Sequence, residues 1–216
     1  MNNLDIYYTL GMLGTVAFAV TAVLAVIPKQ IDLFGAIVMG IVTAVGGGTI
    51  RDMILGVPVF WASDLNYIWV AIASSIVAFY GNQLMSRKNI YALMLYLDGI
   101  GIAMFVIQGA DKALDLDFAL PVGPVLLGLI TAIGGGITRD VLAGNTTLLL
   151  KKELYALPLT FGVILYLIMI QVFPEKVKLL GTLCATLTFF IRAAAIHWKL
   201  HVPKWMLTQK RGIFSN

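Results

Sequence analysis

The sequence predicts an all-α integral membrane protein of seven transmembrane helices, an inverted three-plus-three repeat with one extra helix. Three observations predict it. Hydrophobic residues make up 60% of the 216-residue chain and charged residues only 12%, about half the share usual in a soluble domain. So little polar surface cannot cover a globule in water. Seven apolar runs approach the roughly 20 residues that cross a hydrocarbon core. A phrase of three glycines followed by arginine and aspartate occurs twice, 88 residues apart.

The spans follow in order. The first covers 6–27 and is closed by Pro28 and Lys29. Residues 1–5 carry no basic stretch of the kind that opens a cleaved signal, so this helix is expected to be retained. The second covers 32–55 and contains Gly46, Gly47 and Gly48; the third covers 66–85 and the fourth 90–108. The fifth covers 121–142 and contains Gly134, Gly135 and Gly136; the sixth covers 154–173 and the seventh 177–196. The chain is then one transmembrane domain. Repeat one is 6–86, repeat two 90–173, the seventh helix 177–197, and a basic cytoplasmic tail 198–216.

Basic residues set the expected direction. With the N-terminus outside, inside segments hold Lys29, Arg87, Lys88, Lys151, Lys152, Lys199, Lys204, Lys210 and Arg211. Outside segments hold Lys112, Lys176 and Lys178. Nine against three places the C-terminus in the cytoplasm. The tail also offers positive charge to anionic lipid, although a solvated topology signal explains it more simply. His197 and His201 are too few for a metal site, and Cys184, the single cysteine, is read as packing. Asn145 falls on the cytoplasmic side, which removes its sequon from consideration.

The repeat extends beyond the glycines. Gly56 matches Gly144 and Tyr67 matches Tyr155, while Leu10, Gly14 and Phe18 match Leu97, Gly101 and Phe105 one residue out of register. Each unit holds an odd number of spans, so the second must enter the membrane from the opposite side. Inverted repeats of this kind are common in transporters, with the site between the halves.

Glycine disfavours helix by about 1 kcal/mol. Two clusters at matching places therefore predict a kink in spans two and five, with freed carbonyls lining a pathway; close helix packing is the other reading. The candidate pore and hinge residues are Gly46, Gly47, Gly48, Thr49, Gly134, Gly135, Gly136 and Thr138. Thr15, Thr43 and Thr131 add hydroxyls nearby, either for ions or for their own backbone. The candidate charge network is Arg51, Asp52, Asp98, Arg139 and Asp140. Neighbours on a helix point about 100° apart, which argues against Arg51 pairing with Asp52. The arginines are expected to reach the freed carbonyls, to pair across the pseudo-axis (Arg51 with Asp140, Arg139 with Asp52), or to snorkel. Asp98 either attracts cations or pairs near the cytoplasmic interface. No phosphate loop, nucleophile–base pair or metal-spaced cluster is present, so no enzyme activity, cofactor or nucleic-acid partner is expected.

The twin GGGxxRD phrases at 46–52 and 134–140, the LDGIG element at 97–101 and the span order resemble the trimeric intracellular cation (TRIC) channel family, in its prokaryotic branch. The resemblance covers about residues 6–197. It implies a homotrimer in the prokaryotic inner membrane, with a pore in each protomer conducting monovalent cations, mainly potassium with sodium as the other candidate. Gly11 departs from the pattern, because many relatives carry an acid there. An alternating-access carrier for a small zwitterion such as glycine is the alternative, since half-helix N-termini and arginines suit a carboxylate. A purely structural scaffold leaves the buried charges unexplained.

Overall fold

The computed structural model describes residues 3–81, 87–151 and 153–203. The described residues form eight α-helices: α1 Asn3–Val26, α2 Leu33–Leu55, α3 Phe60–Ser63, α4 Asn66–Gly81, α5 Arg87–Asp115, α6 Gly123–Leu142, α7 Ala156–Val172 and α8 Val177–His197. Five helical segments are long and apolar enough to cross a membrane: Tyr8–Lys29, Leu33–Leu55, Ile90–Asp115, Gly123–Leu142 and Pro174–His197. The helices in the third and sixth places, α4 and α7, have 16 and 17 residues. At 1.5 Å per residue they reach only about 24–26 Å.

Local chemistry sets the helix ends. The Asp32 carboxylate accepts the Gly35 N–H at 2.7 Å and caps α2. Gly56 follows α2 with φ +67°, and Gly144 follows α6 with φ +59°. Both sit in the left-handed region that glycine enters without a Cβ clash. Pro124 occupies the first turn of α6, where its missing N–H costs nothing. Short α3 has no counterpart among the expected elements. It turns the chain back so that Phe60 meets the end of α2.

Helix α1 packs on α2, α4 and α5, while α5 packs on α6, α7 and α8, and α2 crosses α6. The largest core cluster brings Phe18, Ile102, Phe105, Val106, Leu159 and Val163 together. Large apolar side chains such as Phe34, Met53 and Val77 stay outward, more than 70% exposed, as a lipid-facing surface requires. The seventh-place helix, α8, packs on α5 and α7 and carries buried Cys184 and Arg192.

The glycines do not break the helices that carry them. Helix α2 runs unbroken through Gly46–Gly48 for 23 residues, and α6 through Gly134–Gly136 for 20. The glycine penalty is offset by the close backbone approach that glycine allows. An unbroken α2 measures about 34 Å, enough to cross the core without two halves.

Candidate functional site

The two glycine clusters meet where α2 crosses α6. A Cβ on Gly47 would overlap the Thr131 carbonyl oxygen, and one on Gly135 would overlap that of Thr43. A Cβ on Gly46 would find its nearest neighbour at 4.0 Å, in ordinary contact. Gly48 makes room for the Phe60 ring, and Gly136 lies beside Tyr155 and Asp98. The clusters are therefore a contact surface, with Gly47 and Gly135 its tightest points. The hydroxyls of Thr15, Thr49, Thr131 and Thr138 donate to the backbone carbonyls of Gly11, Val45, Leu127 and Gly134, one turn back. Buried Thr43 Oγ1 has no hydrogen-bond partner among the described residues.

The charge network forms around each arginine. Arg139 is fully buried. Its Nε donates to Asp140 Oδ1 at 2.9 Å, and its Nη1 donates to Asp98 Oδ1 at 2.8 Å and Thr21 Oγ1 at 3.0 Å. Asp140 Oδ2 accepts the Leu148 N–H at 3.1 Å, fixing the chain after α6. In the other half, Arg51 Nε donates to Asp52 Oδ1 at 2.8 Å. Asp52 Oδ2 accepts the Phe60 N–H at 2.8 Å, the same eight-residue reach. Lys112 Nζ also donates to Asp52 Oδ1, at 2.7 Å. The Arg51 guanidinium lies 5.5 Å from the Phe60 ring centroid, a cation–π distance.

These contacts correct three expectations. Each arginine pairs with the aspartate that follows it, because the long side chain folds across the 100° between them and engages through Nε. Neither arginine pairs across the pseudo-axis. Neither reaches a glycine carbonyl, since an unbroken helix keeps those carbonyls in its own ladder. Burial of Arg51 and Arg139 also rules out snorkelling. Asp98 is fully buried and pairs with Arg139.

Two cavities flank the crossing. One, of about 370 Å³, is bounded by Leu24 and Ala25 of α1, Lys29, Tyr91 and Met94 of α5, and Asp140 of α6. The other, of about 200 Å³, is bounded by Ala44, Gly48 and Arg51 of α2, Tyr67 of α4, and Phe105, Gln108 and Lys112 of α5. Helix α5 lines both. The 11 residues from Met94 to Phe105 separate them by about 16 Å along its axis. Phe18 and Phe105 fill the space between, their ring centroids 5.3 Å apart. A Cβ on Gly14 would strike the Phe105 ring, and one on Gly101 the Phe18 ring.

The sequence model of the family described as glycine transporter matches residues 8–83 and again 95–171, one match for each half. The UPF0126 inner membrane protein YadS of Escherichia coli is 38% identical over 203 residues, 94% of this chain and 97% of its own. A UPF0126 membrane protein of Vibrio cholerae is also 38% identical, over 95% of this chain and 85% of its own. Among solved structures, the TRIC trimeric intracellular cation channel orthologue from Rhodobacter sphaeroides aligns with a TM-score of 0.83. It is 32% identical over 90% of this chain and 99% of that one. A prokaryotic TRIC channel crystallised in 0.5 M KCl aligns at 0.84 with 26% identity, over 92% and 100% of the chains. The chain belongs to the prokaryotic branch of the TRIC family.

Within this TRIC fold, every residue of the expected charge network lies beside the glycine crossing. Several contributors escape a reading by spans. Lys112 lies in α5 beyond the expected end of span four at 108, because the helix runs on to Asp115. Tyr67 and Tyr155 are visible as a repeat match, but their place beside the arginines depends on tertiary packing. Arg192 of α8 sits over the Tyr155 ring at 5.1 Å and donates to the Leu154 carbonyl at 3.0 Å. The basic tail expected to meet anionic lipid lies, from residue 204 on, outside the described residues.

Proposed function

We propose that this protein is a monovalent-cation channel, with potassium its main ion, in which each protomer of a homotrimer carries its own pathway. The observation that carries this reading is the pair of cavities on either side of the α2–α6 crossing, separated by two phenylalanine rings. The pathway joins them past Gly47, Gly135, Phe18 and Phe105, and the present conformation is closed there. The solved relatives named as cation channels support conduction, and the one named trimeric supports the trimer. The role of the protein is passive transport without catalysis. Its setting is the inner membrane, with the N-terminus outside and the C-terminus in the cytoplasm on the strength of the basic-residue bias.

The glycine clusters act here as a sliding contact rather than as hinges. Small residues on both helices let α2 and α6 shift without opening a void, and the phenylalanines move with them. The test is electrical: purified protein in planar bilayers, with potassium on both sides, gives unitary currents if the pathway conducts.

A second reading is favoured by the description of the matching family and by the closed centre between two cavities. In it the protein is an alternating-access carrier for a small zwitterion such as glycine. Saturable glycine counterflow without unitary currents would select it.

A further inference from the structure

The two halves of the site carry opposite charge balances. In the second half one cation, Arg139, meets two carboxylates, Asp140 and Asp98. In the first half two cations, Arg51 and Lys112, share one carboxylate, Asp52. The difference traces to two positions: the repeat counterpart of Asp98 is Gly11, and at the same offset that of Lys112 is the uncharged Ala25. A Cβ on Gly11 would lie 2.9 Å from the Tyr67 hydroxyl and 3.1 Å from Gln108 Nε2. Both residues border the cavity of about 200 Å³ that Arg51 and Lys112 also border. In the second half the corresponding room is taken by the fully buried Asp98 carboxylate.

Where its twin has a carboxylate, the first half therefore has the Tyr67 hydroxyl and the Gln108 amide, beside a cavity with an excess of positive charge. Arg51 is 6% exposed, and its hydrogen bond to Asp52 uses Nε. Its terminal nitrogens keep the planar fork that suits a carboxylate. Asp64 is engaged elsewhere, accepting the Asn66 N–H at 3.0 Å on the exposed side.

We propose that this cavity binds a small monocarboxylate, held by Arg51 and Lys112 with Tyr67 and Gln108 beside it, in the role that Asp98 plays in the other half. The bound carboxylate cancels the excess positive charge that would otherwise repel a potassium ion. The proposal rests on the two-cavity pathway described above, and it applies equally to the carboxylate end of an amino acid. A ligand of a few heavy atoms fits the cavity's volume of about 200 Å³.

The test uses the full-length protein in nanodiscs, in chloride-free buffer, titrated with sodium acetate by calorimetry. Saturable acetate binding, displaced by glycine, is expected. Gly11→Asp supplies the missing carboxylate from within, and should weaken acetate binding by at least about tenfold through like-charge repulsion and occupied space. Lys112→Gln, at a partly exposed side chain, should weaken it by about threefold or more through loss of one charged partner. It also keeps the test decisive if Gly11→Asp does not fold. No saturable binding, or unchanged affinity in the variant that folds, would overturn the site. Displacement by chloride as effective as by glycine would overturn the carboxylate assignment. Potassium flux from the same protein in liposomes reads conduction separately. Flux without acetate binding would sink this site alone, whereas acetate binding without flux would support it and sink the channel reading.

Discussion

Gly47 of α2 and Gly135 of α6 lie against each other's helix, each facing the backbone carbonyl four residues before the other, Thr131 and Thr43. The contact is reciprocal, as two halves related by a pseudo-two-fold would make it. It converts the repeated glycines from presumed breaks into a packing surface.

Packing and hinge roles separate by substitution. Gly47→Ala drives a methyl group into the Thr131 carbonyl, which is backbone and cannot swing aside. A loss of about 1–3 kcal/mol, the usual cost of overpacking, is expected. Gly46→Ala meets nothing closer than 4.0 Å and should be tolerated. Thermal unfolding of both variants in detergent measures this. Equal effects at the two positions would favour a hinge, which needs flexibility at both.

Arg139 pairs with two buried acids at once. Arg139→Ala leaves Asp98 and Asp140 unpaired, and losing a partner of a buried charge costs about 3–5 kcal/mol. Loss of folded protein is expected, measured by size-exclusion yield. Arg139→Ala combined with Asp98→Asn and Asp140→Asn should recover part of it. No recovery would mean that the arginine holds the fold by packing rather than charge.

Pairing within each half predicts that a swap across the halves fails. Arg51→Asp with Asp140→Arg places like charges beside Asp52 and Arg139, their actual neighbours. The double variant should fold worse than either single variant, by the same yield assay. Restoration would return the cross-axis pair to consideration.

The all-helical fold, the order of its apolar helices and the residues of the charge network were legible in the sequence. Hydropathy reads spans directly, and membrane charges rarely escape a functional or structural pairing. The partners were not legible. Whether Arg51 folds onto Asp52 or crosses to Asp140 depends on side-chain conformation and helix rotation, which sequence spacing leaves open. The unbroken α2 was missed for a related reason: helix propensity counts the cost of Gly47, while the contact with Thr131 that offsets it lies 84 positions away. Lys112 was counted as a loop charge because apolarity fades before the helix does.

Phe18 and Phe105 fill the middle of the proposed pathway and make no hydrogen bonds to hold it. Phe105→Ala vacates ring volume between the cavities, at a cost of about 3–5 kcal/mol typical for a buried phenylalanine. Where the variant folds, higher potassium flux into liposomes is expected. Flux at or below the unsubstituted level would place the pathway elsewhere.

Conduction itself is tested most directly by single-channel recording from the purified protein in planar bilayers with potassium as the only permeant cation. Discrete unitary currents, larger or more frequent in Phe105→Ala, are the expected result. A silent bilayer, with the same preparation catalysing saturable glycine exchange in liposomes, would contradict the channel and establish a carrier.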